Sequence, residues 1–306
     1  MKSKKPILVT GSHRSGSTWV GQTLAQSPHV FYIHEPFNIQ YPNPGVCGAK
    51  FSHWFEYVTT SSEKPYRRHL KRTVELRYNL LGHFLHARSI HDKFRAVKMS
   101  ARFTKHRWLN ARPLIKDPIA LMSAEWLTST FNMSVLVMIR HPAAFVGSIK
   151  KVHWQFPFED LLQQPKLIKH HLSSFKAEIE RAVREELDII DQAILLWNIS
   201  AHMILTYREM HKKWLFIRHE DLSRAPFENF ESIFRQLNIP YTHNVQNYIQ
   251  ANCFPVVQGK YRPGILTRNS RANIKEWYNR LTSDEIERIK KSVKPWAESF
   301  YPEADW

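Results

Sequence analysis

"TGSHRSGSTW", Thr10 to Trp19, directly follows the apolar run "ILV" near the start of the chain. Gly11 and Gly16 have the spacing of the phosphate loop G-x-x-x-x-G-K-[ST], and Thr18 fills its last position. Ser17 stands where the lysine belongs, and Arg14 places a cation inside the loop instead. A glycine loop that leaves a strand and opens a helix offers an anion free N–H groups and the positive end of the helix dipole. A triphosphate also needs the lysine, a magnesium ion and an acidic residue at a strand end to hold that metal. No clear apolar strand here ends in a lone Asp; "LIKDP" is nearest, with Lys116 before Asp117. The loop therefore suits an anion that needs less charge neutralisation than a triphosphate, and no metal.

Outward from the loop, "STWVGQTLAQSP" reads as a helix stopped before Pro28, and "VFYIHEP" as a strand ending at Glu35 and Pro36. Strand, loop, helix, strand is the opening of a βαβ unit. "FRAVKM" and "RPLIKDP" read as short strands, and "PIALMSAEWLTSTF" as an amphipathic helix. "MSVLVMIRHP" is the strongest strand; it ends at Arg140, and Pro142 opens the next helix, where proline is tolerated. Residues 67–91 read as helical, and a long helix is expected roughly from Ser174 to Lys212. "KWLFIRHEDL" reads as a strand and loop; "FENFESIFRQL" and "TSDEIERIKKSV" are late helices. Alternating strands and helices imply a mostly parallel sheet with ligands at the strand C-termini. Residues 38–66 form a long irregular segment, of the kind that is usually functional over the mouth of such a sheet, and 153–174 reads as an insertion.

The 306 residues, 43% hydrophobic, suffice for one large domain. No stretch reads as the run of ~20 apolar residues that spans a bilayer, and the apolar part of "MKSKKPILVTG" is too short for a signal peptide. The expectation is a cytoplasmic protein, with Cys47 and Cys253 in a reducing compartment. The net charge of +17 admits an anionic cofactor, an acidic substrate, a nucleic acid or a membrane surface. The basic residues read as dispersed rather than clustered, so no nucleic-acid partner is expected, while membrane contact through the basic charge stays open. Seventeen histidines include no H-E-x-x-H or Cys/His spacing, so no metal site is expected.

"GSHRSGSTWVGQTLAQSPHVFYIHEPF" resembles the first signature of the sulfotransferases that use 3′-phosphoadenosine 5′-phosphosulfate (PAPS). The resemblance implies that Ser12, His13, Arg14, Ser15, Gly16, Ser17, Thr18 and Trp19 bind the donor, with the loop on its 5′-phosphosulfate. "IRHPAAFVGSIKK" resembles the second signature, which implies that Arg140 and Ser148 grip the 3′-phosphate. "IRHEDLSRAPFENFESIFRQL" is similar to the Arg-Tyr-Glu-Asp-Leu segment of Golgi carbohydrate sulfotransferases, and "RNSRANIKEWYNRLT" resembles the family's late loop. In that loop Ser270 and Arg271 are candidate phosphate contacts, with Arg268 a rival. Two departures stand out: His141 replaces the usual Asp or Asn after the second-signature arginine, and the late Arg-Lys-Gly run of cytosolic members is absent.

The resemblance implies a P-loop-like three-layer α/β fold, its central, mostly parallel sheet flanked by helices. It implies a single domain over 1–306, with acceptor-site insertions at 38–93 and 153–174. It implies sulfuryl transfer from PAPS, leaving adenosine 3′,5′-bisphosphate, without a metal. By analogy with phosphoryl transfer, catalysis is mostly positioning and electrostatics. Arg14 supplies a cation, and Glu35 of "HEPF" is the candidate base. His34 is its rival, although strand alternation points it to the opposite face. Lys116, which resembles the lysine of the Lys-Asp-Pro of tyrosyl-protein sulfotransferases, competes with Lys98 for contact with the transferring group. "HEPF" and "RHEDL" favour a carbohydrate acceptor, as does the chance of sugars stacking on Trp54, Trp108 or Trp154; a peptide tyrosine or small metabolite is the alternative. Golgi members carry a membrane anchor and no such segment is read here, so the expectation is a soluble homologue. A basic nucleic-acid-binding protein and a degenerate P-loop kinase are the readings from other classes.

Overall fold

The opening anticipated from the glycine loop is present: β1 (Ile7–Gly11), α1 (Ser17–Leu24) and β2 (Val30–His34). Residues 5–253 and 272–306 are the ones described in the computed structural model. An irregular segment then leads to α2 (Lys64–Val74), α3 (Leu80–His86), α4 (Ile90–Trp108) and β3 (Arg112–Lys116). A short 3-10 turn (Pro118–Ser123) and α5 (Ala124–Phe131) precede β4 (Ser134–Ile139) and α6 (Pro142–Val152). Next come α7 (Glu159–Leu162), α8 (Pro165–His170), α9 (Lys176–Arg184), α10 (Ile189–Met210) and β5 (Leu215–Arg218). The chain continues through α11 (His219–Arg224), α12 (Pro226–Gln236) and α13 (His243–Cys253) to a 3-10 segment (Ala272–Asn279) and α14 (Ser283–Ala297).

The five strands form one sheet in the order β2-β3-β1-β4-β5, and every neighbouring pair is parallel. Alternation along the strands divides the core in two. Ile7 and Val9 of β1 and Leu136 and Met138 of β4 face one cluster, with Val20 and Leu24 of α1, Phe230 and Phe234 of α12, and Val245 and Ile249 of α13. Leu8, Val135, Val137 and Ile139 face the other cluster, with Phe145 and Ile149 of α6 and Leu196, Ile199 and Met203 of α10. A parallel strand covered on both faces has no polar side to show, which is why β1 and β4 read as unbroken apolar runs. No disulfide joins Cys47 and Cys253, which lie one in each cluster.

Several expectations change. "FRAVKM" is not a strand but lies within α4, so Lys98 is an exposed helix residue rather than a strand-end lysine. Ser89 caps that helix by accepting from the Asp92 N–H, and Ala96 and Phe103, seven residues apart, bury one face. A short apolar run alone does not separate the two structures. The region 67–91 is split among α2, α3 and the start of α4. The long helix expected over 174–212 is two helices, because Asp188 accepts from the N–H groups of Ile190 and Asp191 and so starts α10 afresh. The segment after β5 is helical rather than a loop, with Glu220 and Asp221 in the favourable first turn of α11. By length and composition α10 is apolar enough to cross a membrane, although polar residues interrupt it along its length. Most of that stretch is buried in the core.

Candidate active site

The loop after β1 has its shape because two of its glycines have no alternative. Gly11 has φ 130°, and a Cβ there would sit 2.1 Å from the Met138 carbonyl oxygen on β4. Gly16 has φ 87° at the start of α1, where a Cβ would meet His219 Nδ1 at 2.4 Å. Among the described residues no side chain caps the N-terminus of α1 and no carboxylate lies in its first turn, so its N–H groups are left for an anion. Between the glycines Arg14 takes φ 61°, and its Nε donates to Ser148 Oγ of α6 at 2.9 Å.

This loop forms one wall of a cleft of ≈ 790 Å³ at the C-terminal edge of the sheet. His13, Arg14, Gly16, Ser17, Thr18 and Trp19 line it, together with Glu35, Arg140 and Ser148. Ser12 and Ser15 are buried; the Ser15 hydroxyl, like that of Thr10, has no hydrogen-bond partner among the described residues. Ser270, Arg271 and Arg268 lie outside the described residues.

Glu35 is the first residue past β2. Its N–H donates to the Lys116 carbonyl at 2.9 Å, extending the pairing of β2 with β3, but its φ of 39° breaks the strand alternation. Strand alternation therefore does not separate the two side chains fully: His34 Nε2 is 3.8 Å from Glu35 Oε2, although only Glu35 lines the cleft. The Glu35 carboxylate accepts from Lys116 Nζ and, at 2.8 Å, from Asn38 Nδ2. Burial pushes its pKa up, but the Lys116 charge and the two hydrogen bonds outweigh burial and hold it below the ordinary value. His34 is largely exposed, bonded to the Tyr32 hydroxyl at 3.0 Å, and its pKa is lowered by burial and by Lys116. Lys116 is only 1% exposed and is not part of the cleft lining; it reaches the cleft through Glu35. Asp117 accepts the N–H groups of Phe37 at 2.7 Å and Ile119 at 3.1 Å, which ties the exits of β2 and β3 together. Burial pushes its carboxyl up to about 7.

The two segments with no readable pattern are fastened to each other. The Trp54 N–H donates to Asp160 Oδ2 and the Tyr57 N–H to Gln164 Oε1, both at 2.7 Å. As a result Trp54 and Trp154 stand 5.8 Å apart and both line the cleft. His13 packs on Trp154 at 4.7 Å and on Phe55 at 5.4 Å, with both ring nitrogens buried and without a hydrogen-bond partner among the described residues. Burial first, then the charge of Arg14, lowers its pKa to about 4, so the ring is neutral. Trp108 is exposed on α4 and does not line the cleft.

A family model described as "Sulfotransferase family" matches residues 6–243, which contain the loop, Glu35, Arg140 and Ser148. The chain belongs to the sulfotransferase family. It is similar to carbohydrate sulfotransferase 4 of Mus musculus, 20% identical over 297 residues that cover 81% of this chain and 69% of that protein. A shorter match of 74 residues is 38% identical to carbohydrate sulfotransferase 1 of Rattus norvegicus, covering 24% of this chain and 18% of that one. Among solved structures, the sulfotransferase domain of the olefin synthase from Synechococcus PCC 7002 has the same fold. It matches with a TM-score of 0.50 at 14% identity, covering 99% of this chain and 98% of that one. The protein is a sulfotransferase enzyme on a P-loop-like scaffold.

In this sulfotransferase the second signature is held from behind. The Glu220 carboxylate lies 3.5 Å from Arg140 Nε, accepts the His141 N–H at 3.1 Å and accepts the Tyr301 hydroxyl at 2.9 Å. Arg218 of the same "RHED" stretch makes a two-pronged pair with Asp221 and a third bond to Asp305, and so ties α11 to the C-terminal residues. His141 is buried against Trp277, ring on ring at 5.4 Å, and against Tyr301 and Trp306. Burial drives its pKa down to about 3. The late "KEWYNR" stretch thus packs on the second signature through Trp277, while Glu276 and Arg280 line the cleft.

Sequence reading missed Gln22, Asn38, Lys151, His219, Tyr248 and Asn252, all of which line the cleft. Helical spacing was a usable signal for two of them: Gln22 is one turn beyond Thr18, and Lys151 is three residues beyond Ser148. Tyr248, whose hydroxyl donates to Gln22 Oε1 at 3.2 Å, is 226 residues from its partner and carried no such signal.

Proposed function

We propose that this sulfotransferase moves a sulfuryl group from PAPS to a hydroxyl of a carbohydrate or glycoconjugate. The observation that carries the reading is the meeting of Arg14, Ser148 and Arg140 beside the uncapped start of α1, with a carboxylate held ionised in the same cleft. In this reading the loop N–H groups and Arg14 take the phosphosulfate, and Arg140 and Ser148 take the 3′-phosphate. The hydroxyls of Thr10 and Ser15, unpartnered among the described residues, leave hydrogen-bonding capacity at that end of the cleft, as a polyanionic donor requires.

Glu35 is the base. It takes the proton of the acceptor hydroxyl as that oxygen bonds to sulfur, and the bond from sulfur to the phosphate oxygen breaks, releasing adenosine 3′,5′-bisphosphate. Lys116 acts through Glu35, holding it ionised and oriented. His34 is not the base in this reading: its ring is bonded to Tyr32 and is not part of the cleft lining.

The carbohydrate acceptor is supported by the names of the similar mammalian proteins and by the aromatic wall of Trp54 and Trp154, on which a sugar ring can stack. The acceptor wall is proposed to be the clamped pair of segments 38–63 and 153–164, which is narrower than the insertions drawn from the sequence. Two measurements test the reading. Thermal stabilisation by adenosine 3′,5′-bisphosphate, and not by ATP with Mg²⁺ or by DNA, is expected. A screen with labelled PAPS should label glycan acceptors in preference to tyrosine peptides; the reverse preference would reassign the acceptor.

A further inference from the structure

The surface of α3 and α4 carries a feature that sulfuryl transfer does not use. Leu81 and Leu85 of α3, Ile90, Phe94, Val97 and Trp108 of α4, and Leu109 are each between 49% and 80% exposed. On α4, Ile90, Phe94, Val97, Ala101 and Trp108 fall within a band about 60° wide at the α-helical twist. The buried residues Ala96 and Phe103 lie on the opposite side of the same helix. The exposed stripe is therefore a second apolar face, separate from the one that packs on the core. Lys98 and Lys105 flank it on one side and Lys93 on the other, at the α-helical twist.

The charge of the protein is concentrated here. From Lys64 to Trp108 there are thirteen Lys and Arg against two acidic residues, Glu75 and Asp92, so this stretch holds most of the net +17. No lysine or arginine of α4 forms an ion pair with a carboxylate among the described residues. The reading of the basic residues as dispersed thus does not survive at this face.

We propose that the α3–α4 surface docks the enzyme onto an anionic lipid surface. An apolar stripe with Phe, Ile and Trp, flanked by unneutralised cations, matches the boundary between acyl chains and acidic headgroups. A nucleic acid would be met by the cations but has no use for exposed Ile90, Phe94 and Leu85. The surface lies outside the cleft lining, so docking and transfer are separable.

The test is sedimentation of the full chain with phosphatidylcholine–phosphatidylserine vesicles and with phosphatidylcholine vesicles alone. The expected result is binding to the former only, weakening as salt rises. The triple variant Ile90→Glu/Phe94→Glu/Trp108→Glu changes only exposed side chains. It should bind at least about tenfold more weakly while keeping its thermal midpoint and its transfer to a soluble acceptor. No binding by the unaltered protein at low salt overturns the proposal, as does undiminished binding by the triple variant. Duplex DNA binding without vesicle binding would assign the surface to nucleic acid instead. A dimer that the triple variant converts to monomer, without vesicle binding, would make the surface an interface between copies.

Discussion

Arg14 Nε and Ser148 Oγ are hydrogen-bonded at 2.9 Å although 134 residues separate them in the chain. The bond joins the glycine loop after β1 to the helix after β4, so the two halves of the proposed donor site are tied together. A serine that holds a loop arginine is doing something beyond contacting a ligand, and its removal has a different consequence from removal of Arg140.

Arg140→Ala should weaken PAPS binding by about 1.5–3 kcal/mol, the worth of a charge-assisted contact, and weaken adenosine 5′-phosphosulfate binding far less. Ser148→Ala should weaken PAPS similarly but also lower turnover, because Arg14 loses its anchor. Calorimetric titration with both nucleotides measures the first effect, and single-turnover rates measure the second. Equal losses for both nucleotides in Arg140→Ala would remove it from the 3′-phosphate.

Glu35→Gln keeps the shape and the bond from Asn38 but cannot accept a proton. Turnover should fall roughly 10²–10⁴-fold with the affinity for adenosine 3′,5′-bisphosphate nearly unchanged. His34→Asn, made alongside, should be mild. A dead His34 variant beside an active Glu35 variant would reverse the roles.

Lys116→Met tests how Glu35 is kept ionised. Burial alone raises a carboxyl pKa, and Lys116 is the main influence pulling it down. Without the lysine the Glu35 pKa rises, so the acidic limb of the kcat/KM profile should move to higher pH. The stability consequence has the same origin. A carboxyl whose folded pKa lies below its unfolded value, about 4.3, stabilises the fold above that value and loses the contribution as pH falls through the folded pKa. That contribution should be missing in Lys116→Met, and an unmoved acidic limb would show that Lys116 does not tune the base.

His141 predicts acid lability. Its folded pKa is about 3, against an unfolded value of about 6.5. Between the two, the unfolded chain binds a proton that the folded chain refuses. The stability is thus whole above pH 6.5 and falls by about 1.4 kcal/mol per unit as pH drops below it. His141→Phe keeps an aromatic ring against Trp277 and should flatten this slope, read from urea unfolding at pH 7, 6 and 5. Buried His13, with its pKa near 4, adds a parallel slope that the variant should retain.

Trp54→Ala should raise the acceptor KM several-fold and leave donor affinity in place, since Trp54 belongs to the proposed acceptor wall, where its backbone N–H is fastened to Asp160. Initial-rate kinetics with each substrate varied in turn separate the two. A change confined to the donor KM would place Trp54 on the nucleotide side.

The features legible in the chain are those whose cause is local. Gly11 and Gly16 mark backbone positions that only glycine fills, β1 and β4 mark strands buried on both faces, and Pro142 marks a first helical turn. The position of Glu35 past β2 followed from the same pattern, but its orientation did not: a φ of 39° is imposed by the tie between Asp117 and Phe37 and the pairing with Lys116. "FRAVKM" was misread because an apolar run of that length suits a strand or a helix, and the Ser89 cap and the burial of Phe103 decided the matter.

The sequence by itself determined the glycine loop, the alternation of strand and helix and the residue types offered to an anion, because backbone sterics and burial periodicity act over a few residues. Only the tertiary structure decided that Arg14 meets Ser148, that Lys116 serves Glu35 from behind the cleft wall, and that Trp54 and Trp154 face one cleft. Each of those depends on a contact between segments about 80 or more residues apart, whose geometry is set by sheet order and loop docking rather than by any spacing along the chain.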